Sequence, residues 1–204
     1  MIAIVDYGVG NLYSLEQSFK AIDAQVIVTG KPEELQKAEK ILLPGVGAFG
    51  DAVEKRRNTG MADAVLEQVA AGKPLMGICL GMQLLFDRGL EYGEHAGLGL
   101  ISGEVRPISE VIPKELKIPH MGWNALEFTR ESRLFQHIKN GDYVYFVHSF
   151  YAANCGKTTI ATAEYGAPLT AAVEKDNVFG CQFHPEKSGK VGLEILRAFS
   201  EMKV

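Results

Sequence analysis

The sequence predicts an α/β fold in three layers: a mostly parallel central sheet, helices on both of its faces, and smaller antiparallel strands. Three observations carry this. Ile2 to Val5, Val26 to Val28, Ile41 to Leu43 and Leu75 to Ile78 are unbroken apolar runs, too short for helices, as strands buried on both faces require. Segments of helical character separate them, giving β-α-β-α-β-α-β up to Ile78. After about residue 95 the texture changes to shorter strand-like runs, which suit the antiparallel part.

Each element has a local reason. Tyr7-Gly8-Val9-Gly10-Asn11 ends the first strand, and Asn11 is a natural N-cap for a helix with Leu12, Leu15, Phe19 and Ile22 at helical spacing. Lys31-Pro32-Glu33-Glu34 opens a short helix with proline near its start. Pro44 stops the third strand, helical stretches follow at residues 50–58 and 61–71, and a further helix starts near Leu80. Leu98 to Ile101, Glu104 to Arg106, Tyr143 to Val147, Thr158 to Tyr165 and Leu169 to Val173 read as strands. Asp176-Asn177 separates two such runs and predicts a hairpin turn. Gly189 to Met202 closes the chain as a helix with an apolar face of Val191, Leu193, Ile195, Leu196 and Phe199. With no linker, repeat or low-complexity segment, residues 1–204 read as one domain.

Composition narrows the function classes. At 47% hydrophobic and 23% charged residues, the chain can offset its ordering entropy by burial, which excludes a disordered protein. Lys plus Arg number 21 against 25 Asp plus Glu, a net charge of −4, without the basic surplus of a nucleic-acid binder. The longest apolar stretch, Pro74 to Phe86, falls short of the ~20 residues that span a bilayer. Met1 to Asp6 lacks the basic start and cleavage site of a signal peptide. The three cysteines, Cys79, Cys155 and Cys181, are odd in number, widely spaced and without a Cys-x-x-Cys, which argues against a disulfide framework or a zinc ribbon. Cys181-x-x-His184 is a poor metal pair, because strand alternation sends its two side chains to opposite faces. No metal and no cofactor is expected.

One thiol has the setting of a nucleophile. Gly77-Ile78-Cys79-Leu80-Gly81 has the spacing of a nucleophile elbow, follows a buried strand and precedes a helix. Glycines permit the sharp turn, and a helix start favours thiolate over thiol. Of five histidines, His184 is the best base. It ends the run from Val178, shares a face with Gly180 and Gln182, and is followed by Pro185 and by Glu186, a carboxylate that can turn back to orient the imidazole. His148 lacks a nearby carboxylate and reads as a pocket or core histidine. Gly45-Val46-Gly47-Ala48-Phe49-Gly50 is a literal Gly-x-Gly-x-x-Gly, which leaves a nucleotide-binding module open. Against that, it follows the third strand, a proline precedes it, and Asp63 and Glu67 fall in helix. The other use of such a loop is to aim the Gly47 N–H, together with that of Leu80, at a developing oxyanion.

Together, Pro44-Gly45-Val46-Gly47, Gly77 to Gln83 and His184-Pro185-Glu186 resemble the class I (triad) glutamine amidotransferase family. Tyr7 to Asn11, Ala48-Phe49-Gly50, Pro119-His120-Met121-Gly122-Trp123-Asn124, Tyr145 to Ser149 and His184 to Ser188 resemble its branch of imidazole glycerol phosphate synthase glutaminases, over the whole chain. A glutaminase serving another pathway remains the rival within the family. The resemblance implies a cytoplasmic enzyme that hydrolyses glutamine to glutamate and ammonia with Cys79, His184 and Glu186 as triad and the Gly47 and Leu80 N–H groups as oxyanion hole. It implies that Gln83, Glu91 and the backbone at Ser149 and Phe150 bind the α-amino acid end of the substrate. It also implies a partner, a cyclase subunit with a (β/α)8 barrel that uses the ammonia in histidine biosynthesis, met through Asn11, Met121, Trp123, Asn124, Tyr145 and Lys187. Tyr13, where many members have a basic residue, and Cys181 depart from the pattern without touching the triad. Lys55-Arg56-Arg57 reads as a solvated helix face.

Overall fold

A computed structural model describes residues 1–8, 10–50, 52 and 60–203. The expected helix at 50–58 falls mostly outside the described residues, and Lys55-Arg56-Arg57 wholly so. The chain runs β1 (Ile2–Val5), α1 (Leu12–Lys20), β2 (Val26–Thr29), α2 (Pro32–Lys37), β3 (Lys40–Leu43), α3 (Met61–Ala70), β4 (Leu75–Ile78) and α4 (Leu80–Gln83). It continues through β5 (Phe86–Gly89), β6 (His95–Ala96), β7 (Ile101–Pro107), β8 (His120–Ala125), β9 (Glu127–Phe128), β10 (Tyr143–His148) and β11 (Phe150–Ala153). β12 (Thr159–Glu164), β13 (Pro168–Lys175), β14 (Val178–Cys181) and α5 (Gly189–Glu201) complete it.

The central sheet has the order β2-β1-β3-β4-β14-β13-β12-β9. Pairings from β2 to β14 are parallel and those beyond it antiparallel. The parallel part is the predicted one; β1, β3, β4 and β14 are buried on both faces, while β2, at the edge, is mostly half-buried. Leu42 packs with Leu15, Phe19, Ile195 and Phe199 of α1 and α5, while Ile41 and Leu43 pack with Leu35, Met61 and Val65 of α2 and α3. Each fully buried Leu or Phe here contributes about 2 kcal/mol. Two smaller sheets, β10-β8 and β11-β7-β5-β6, stand beside the main one. Among the described residues no helix is long and apolar enough to cross a membrane.

Several local expectations change. Asn11 occupies the N-cap of α1, but its side chain accepts no cap hydrogen bond. The run Leu98 to Ile101 is a strand only from Ile101, which continues through Arg106 as one element. Before it, Gly97 presses against the Phe86 carbonyl, where an added Cβ would lie 2.0 Å from that oxygen, and the Leu98 N–H bonds Leu84 instead of a ladder partner. The helix after Cys79 is a single turn. The Asp176-Asn177 hairpin forms as expected, with Lys175 opposite Val178 and Asp176 at φ +53°. Asn177 Nδ2 donates to the carbonyls of Val69 and Lys73, tying the hairpin to the end of α3.

This topology sets β4 beside β14 in parallel, Ile78 opposite Cys181. The elbow and the histidine segment therefore leave the same edge of the sheet side by side.

Candidate active site

Cys79 leaves β4 with φ +54° and ψ −113° and caps α4. That is a left-handed region non-glycine residues rarely adopt, and such strain costs on the order of 1–3 kcal/mol. Surrounding contacts enforce it. The Cys79 N–H donates to the Cys181 carbonyl at 2.7 Å. A Cβ on Gly81 would stand 1.8 Å from the Leu43 carbonyl oxygen, and one on Gly77 2.6 Å from that of Gly81. Only glycine lets the turn close this tightly. The dipole of so short a helix is small; the imidazole that couples to the sulfur is that of His184.

His184 is held from three directions. Its N–H donates to Tyr145, its carbonyl accepts from Ser188 Oγ, and its Nδ1 donates to Glu186 Oε1 at 2.8 Å. The imidazole and carboxylate are 4% and 1% exposed, so solvent screens this pair little. Pro185 starts a single 3-10 turn that brings Glu186 back beneath the ring. Burial works against the imidazolium, but the hydrogen bonds and charges of Cys79 and Glu186 outweigh it and hold His184 up at about 9. The arrangement joins a thiol, a base that readily carries a proton, and an orienting carboxylate. The other two thiols sit apart: burial pushes Cys155 up to about 11 and raises the wholly buried Cys181 further.

A cleft of about 350 Å³ opens over Cys79, with Gly47, Gln83, Glu91, Ser149, Phe150 and His184 among its walls. Gln83 Nε2 donates to the Phe150 carbonyl at 3.2 Å and to Gln182 Oε1 at 3.0 Å. Gln182 in turn points its amide at Cys79 Sγ, 3.8 Å away. Sequence reasoning missed Gln182, although it shares a strand face with His184. The Ser149 carbonyl is taken by the Ile108 N–H, and Glu91 Oε2 accepts from the Phe49 N–H at 2.7 Å.

The oxyanion pair differs from expectation. The Leu80 N–H already donates to the Gly45 carbonyl at 3.3 Å, so Gly47 and Leu80 do not present two free donors in this arrangement. The reason is packing: Tyr7 Oη bonds the Pro44 carbonyl, and Gly45 sits where a Cβ would meet Tyr7 Oη at 2.7 Å and the Gly81 nitrogen at 2.8 Å. The same contacts weigh against a nucleotide cradle. Gly50 lies against the His95 ring, where a Cβ would approach to 2.8 Å, and Glu91 takes the Phe49 N–H.

Beside the cleft lies an exposed apolar ridge. Met121 and Trp123 are 60% and 55% exposed on one face of β8. Trp123 meets Tyr145 edge-on at 6.1 Å, and Lys187 Nζ lies 6.0 Å from the Tyr145 ring centre. Asn11 is half-buried at the start of α1. Asn124 does not join the ridge: period two sends it to the opposite face of β8, where Nδ2 donates to the Glu164 carbonyl at 2.8 Å. Among the described residues no three or more His, Cys, Asp or Glu side chains gather to hold a metal.

A family model for class-I glutamine amidotransferases matches residues 3–202. The chain is 48% identical to the imidazole glycerol phosphate synthase subunit HisH of Caldanaerobacter subterraneus subsp. tengcongensis, over 99% of this chain and 98% of that one. It is likewise 48% identical to the subunit of the same name from Sulfurimonas denitrificans, over 100% and 99%. In structure it resembles a glutamine amidotransferase crystal structure (TM-score 0.76, 20% identity, covering 98% of this chain and 97% of that one). It also resembles a structure of PurLQS from Thermotoga maritima (TM-score 0.76, 19% identity, 97% and 96%). At these identities the structural likenesses speak for the fold.

Proposed function

The chain belongs to the class I glutamine amidotransferase family, and from there we propose that it is the glutaminase subunit of imidazole glycerol phosphate synthase, a single domain over residues 1–204. The observation that carries this is the meeting of Cys79 and His184 in the wall of one cleft, with Glu186 Oε1 behind them 2.8 Å from His184 Nδ1.

The chemistry follows from the geometry. The Cys79 thiolate attacks the side-chain amide carbon of glutamine, and the carbonyl oxygen becomes an oxyanion. The N–H groups of Gly47 and Leu80 receive that charge, once Leu80 is released from the Gly45 carbonyl. His184, protonated while paired with Cys79, gives its proton to the departing nitrogen, and ammonia leaves a thioester on Cys79. His184 then takes a proton from water, which cleaves the thioester to glutamate and restores the thiolate. Glu186 holds the ring and stabilises its cation throughout. Gln83, Glu91 and the backbone at Ser149 and Phe150 receive the α-amino acid end of glutamine.

Ammonia is a nucleophile only while neutral and undiluted, so it passes to a cyclase subunit with a (β/α)8 barrel, in the cytoplasm and without a cofactor. Met121, Trp123, Tyr145, Lys187 and Asn11 form the surface that meets this partner, with Trp123 as its aromatic anchor. Docking there, with the cyclase's nucleotide substrate bound, frees the Leu80 N–H and switches hydrolysis on. The test measures glutamate release by this chain alone, then with the cyclase subunit and its nucleotide substrate. Strong stimulation is expected; its absence assigns the chain to another pathway, and turnover retained by Cys79→Ala overturns the triad.

A further inference from the structure

A chain of hydrogen bonds, built on the buried pair His120 and His148, runs from β8 into the wall of the cleft, and none of its imidazoles has a part in the chemistry above. His148 Nδ1 lies 2.8 Å from the Phe150 carbonyl, His148 Nε2 lies 3.0 Å from His120 Nδ1, and His120 Nε2 lies 3.3 Å from Asn124 Nδ2. The direction of every bond is fixed by backbone groups at its two ends. A carbonyl only accepts, so His148 carries its proton on Nδ1 and, while neutral, accepts at Nε2. His120 must then donate from Nδ1 and accept at Nε2. Asn124 cannot be flipped, because its Nδ2 donates to the Glu164 carbonyl and its Oδ1 accepts from the Ala125 N–H. Burial holds both imidazoles neutral, each pushed down to about 4. His120 is further clamped between Phe146 and Tyr165, ring centres 4.8 and 4.2 Å away.

The chain ends on the carbonyl that also receives Gln83 Nε2. Two donors use both lone pairs of that oxygen, so the position of Phe150 and the orientation of the Gln83 amide are set together. We propose that His148, backed by His120 and Asn124, is a positioning residue for the glutamine pocket: it fixes the Phe150 carbonyl and, through it, the Gln83 side chain. This rests on the glutaminase reading. It makes His148 neither base nor nucleophile, and it gives the polar face of β8 a task distinct from the exposed one.

The experiment compares steady-state glutamine hydrolysis by the chain with its cyclase subunit for the unchanged protein, His148→Phe and His148→Asn, with ring-nitrogen NMR of the ¹⁵N-labelled full chain. Asparagine restores a donor near the Nδ1 position; phenylalanine removes it. In His148→Phe the KM for glutamine rises about tenfold, the size expected from one buried hydrogen bond, while kcat moves less than threefold. His148→Asn returns KM to within about threefold of the unchanged protein. The NMR spectrum shows both His120 and His148 as neutral Nδ1–H tautomers at neutral pH, and this readout holds even if His148→Phe fails to fold. An Nε2–H tautomer at either ring, or an unchanged KM in folded His148→Phe, overturns the proposal. An unchanged protein that hydrolyses no glutamine overturns the glutaminase reading and this inference with it.

Discussion

The pairing of His184 with Cys79 makes stability depend on pH in a way that a single substitution should abolish. The ordinary value for a histidine is 6.5, and in the fold His184 is raised to about 9. The difference of some 2.5 units, at 1.36 kcal/mol each, corresponds to about 3 kcal/mol. The sign follows from the direction of the shift. A raised histidine stabilises the fold fully below its unfolded value and loses that contribution as pH rises through its folded value, so the loss falls between about pH 6.5 and 9. With a urea slope of about 2 kcal/mol per molar, the unfolding midpoint drops by roughly 1.5 M from pH 6 to pH 9.5. Other groups titrate in this window, and Cys79→Ala subtracts them. It removes the thiol, first among the groups that raise His184, and leaves Glu186 alone against burial. The same two-pH comparison on the variant should show less than half the wild-type drop. Equal drops in the two proteins would refute the argument that the Cys79–His184 pair carries the shift.

Three further outcomes can be checked directly. Gly81→Ala places a methyl 1.8 Å from a backbone oxygen that no rotamer can relieve, so it should destabilise by more than about 4 kcal/mol or prevent folding, read by thermal melting. Brief treatment with a thiol reagent near neutral pH should label Cys79 in the cleft well before Cys155, held at about 11 by burial, or Cys181; peptide mass mapping that finds equal labelling contradicts an activated Cys79. Trp123→Ala should leave the melting temperature of this chain within a few degrees, because the side chain is 55% exposed, yet weaken cyclase binding by about 2 kcal/mol or more in calorimetry.

What the sequence disclosed and what it hid have physical reasons. β1, β3 and β4 were legible because a strand buried on both faces is an apolar run, here too short for a helix and bounded by turn residues. β8 was not, because its pattern is inverted: Met121 and Trp123 face outward, while His120 and Asn124 face inward and satisfy one another. β5 escaped for a different reason, its charged Asp87 and Arg88 lying between buried ends. The elbow, His184 and Glu186 were readable because their relations span a few residues. The bond from Leu80 to Gly45 was hidden, since it arises where two loops distant in the chain pack together.

The side-by-side exit of β4 and β14 has a consequence for which changes the gene can tolerate. The separation of sulfur and imidazole is set by rungs of a backbone ladder, Leu75 opposite Val178 through Ile78 opposite Cys181, with Asn177 locking the near end to α3 and its carbonyl to the Leu75 N–H. Side chains along these strands can drift while the rungs keep their count. One codon gained or lost in the Asp176-Asn177 turn moves the base by a full step of about 3.3 Å and inverts every face beyond it. Length is thus inherited more strictly here than identity, and chains of this lineage should differ in letters along this stretch long before they differ in spacing.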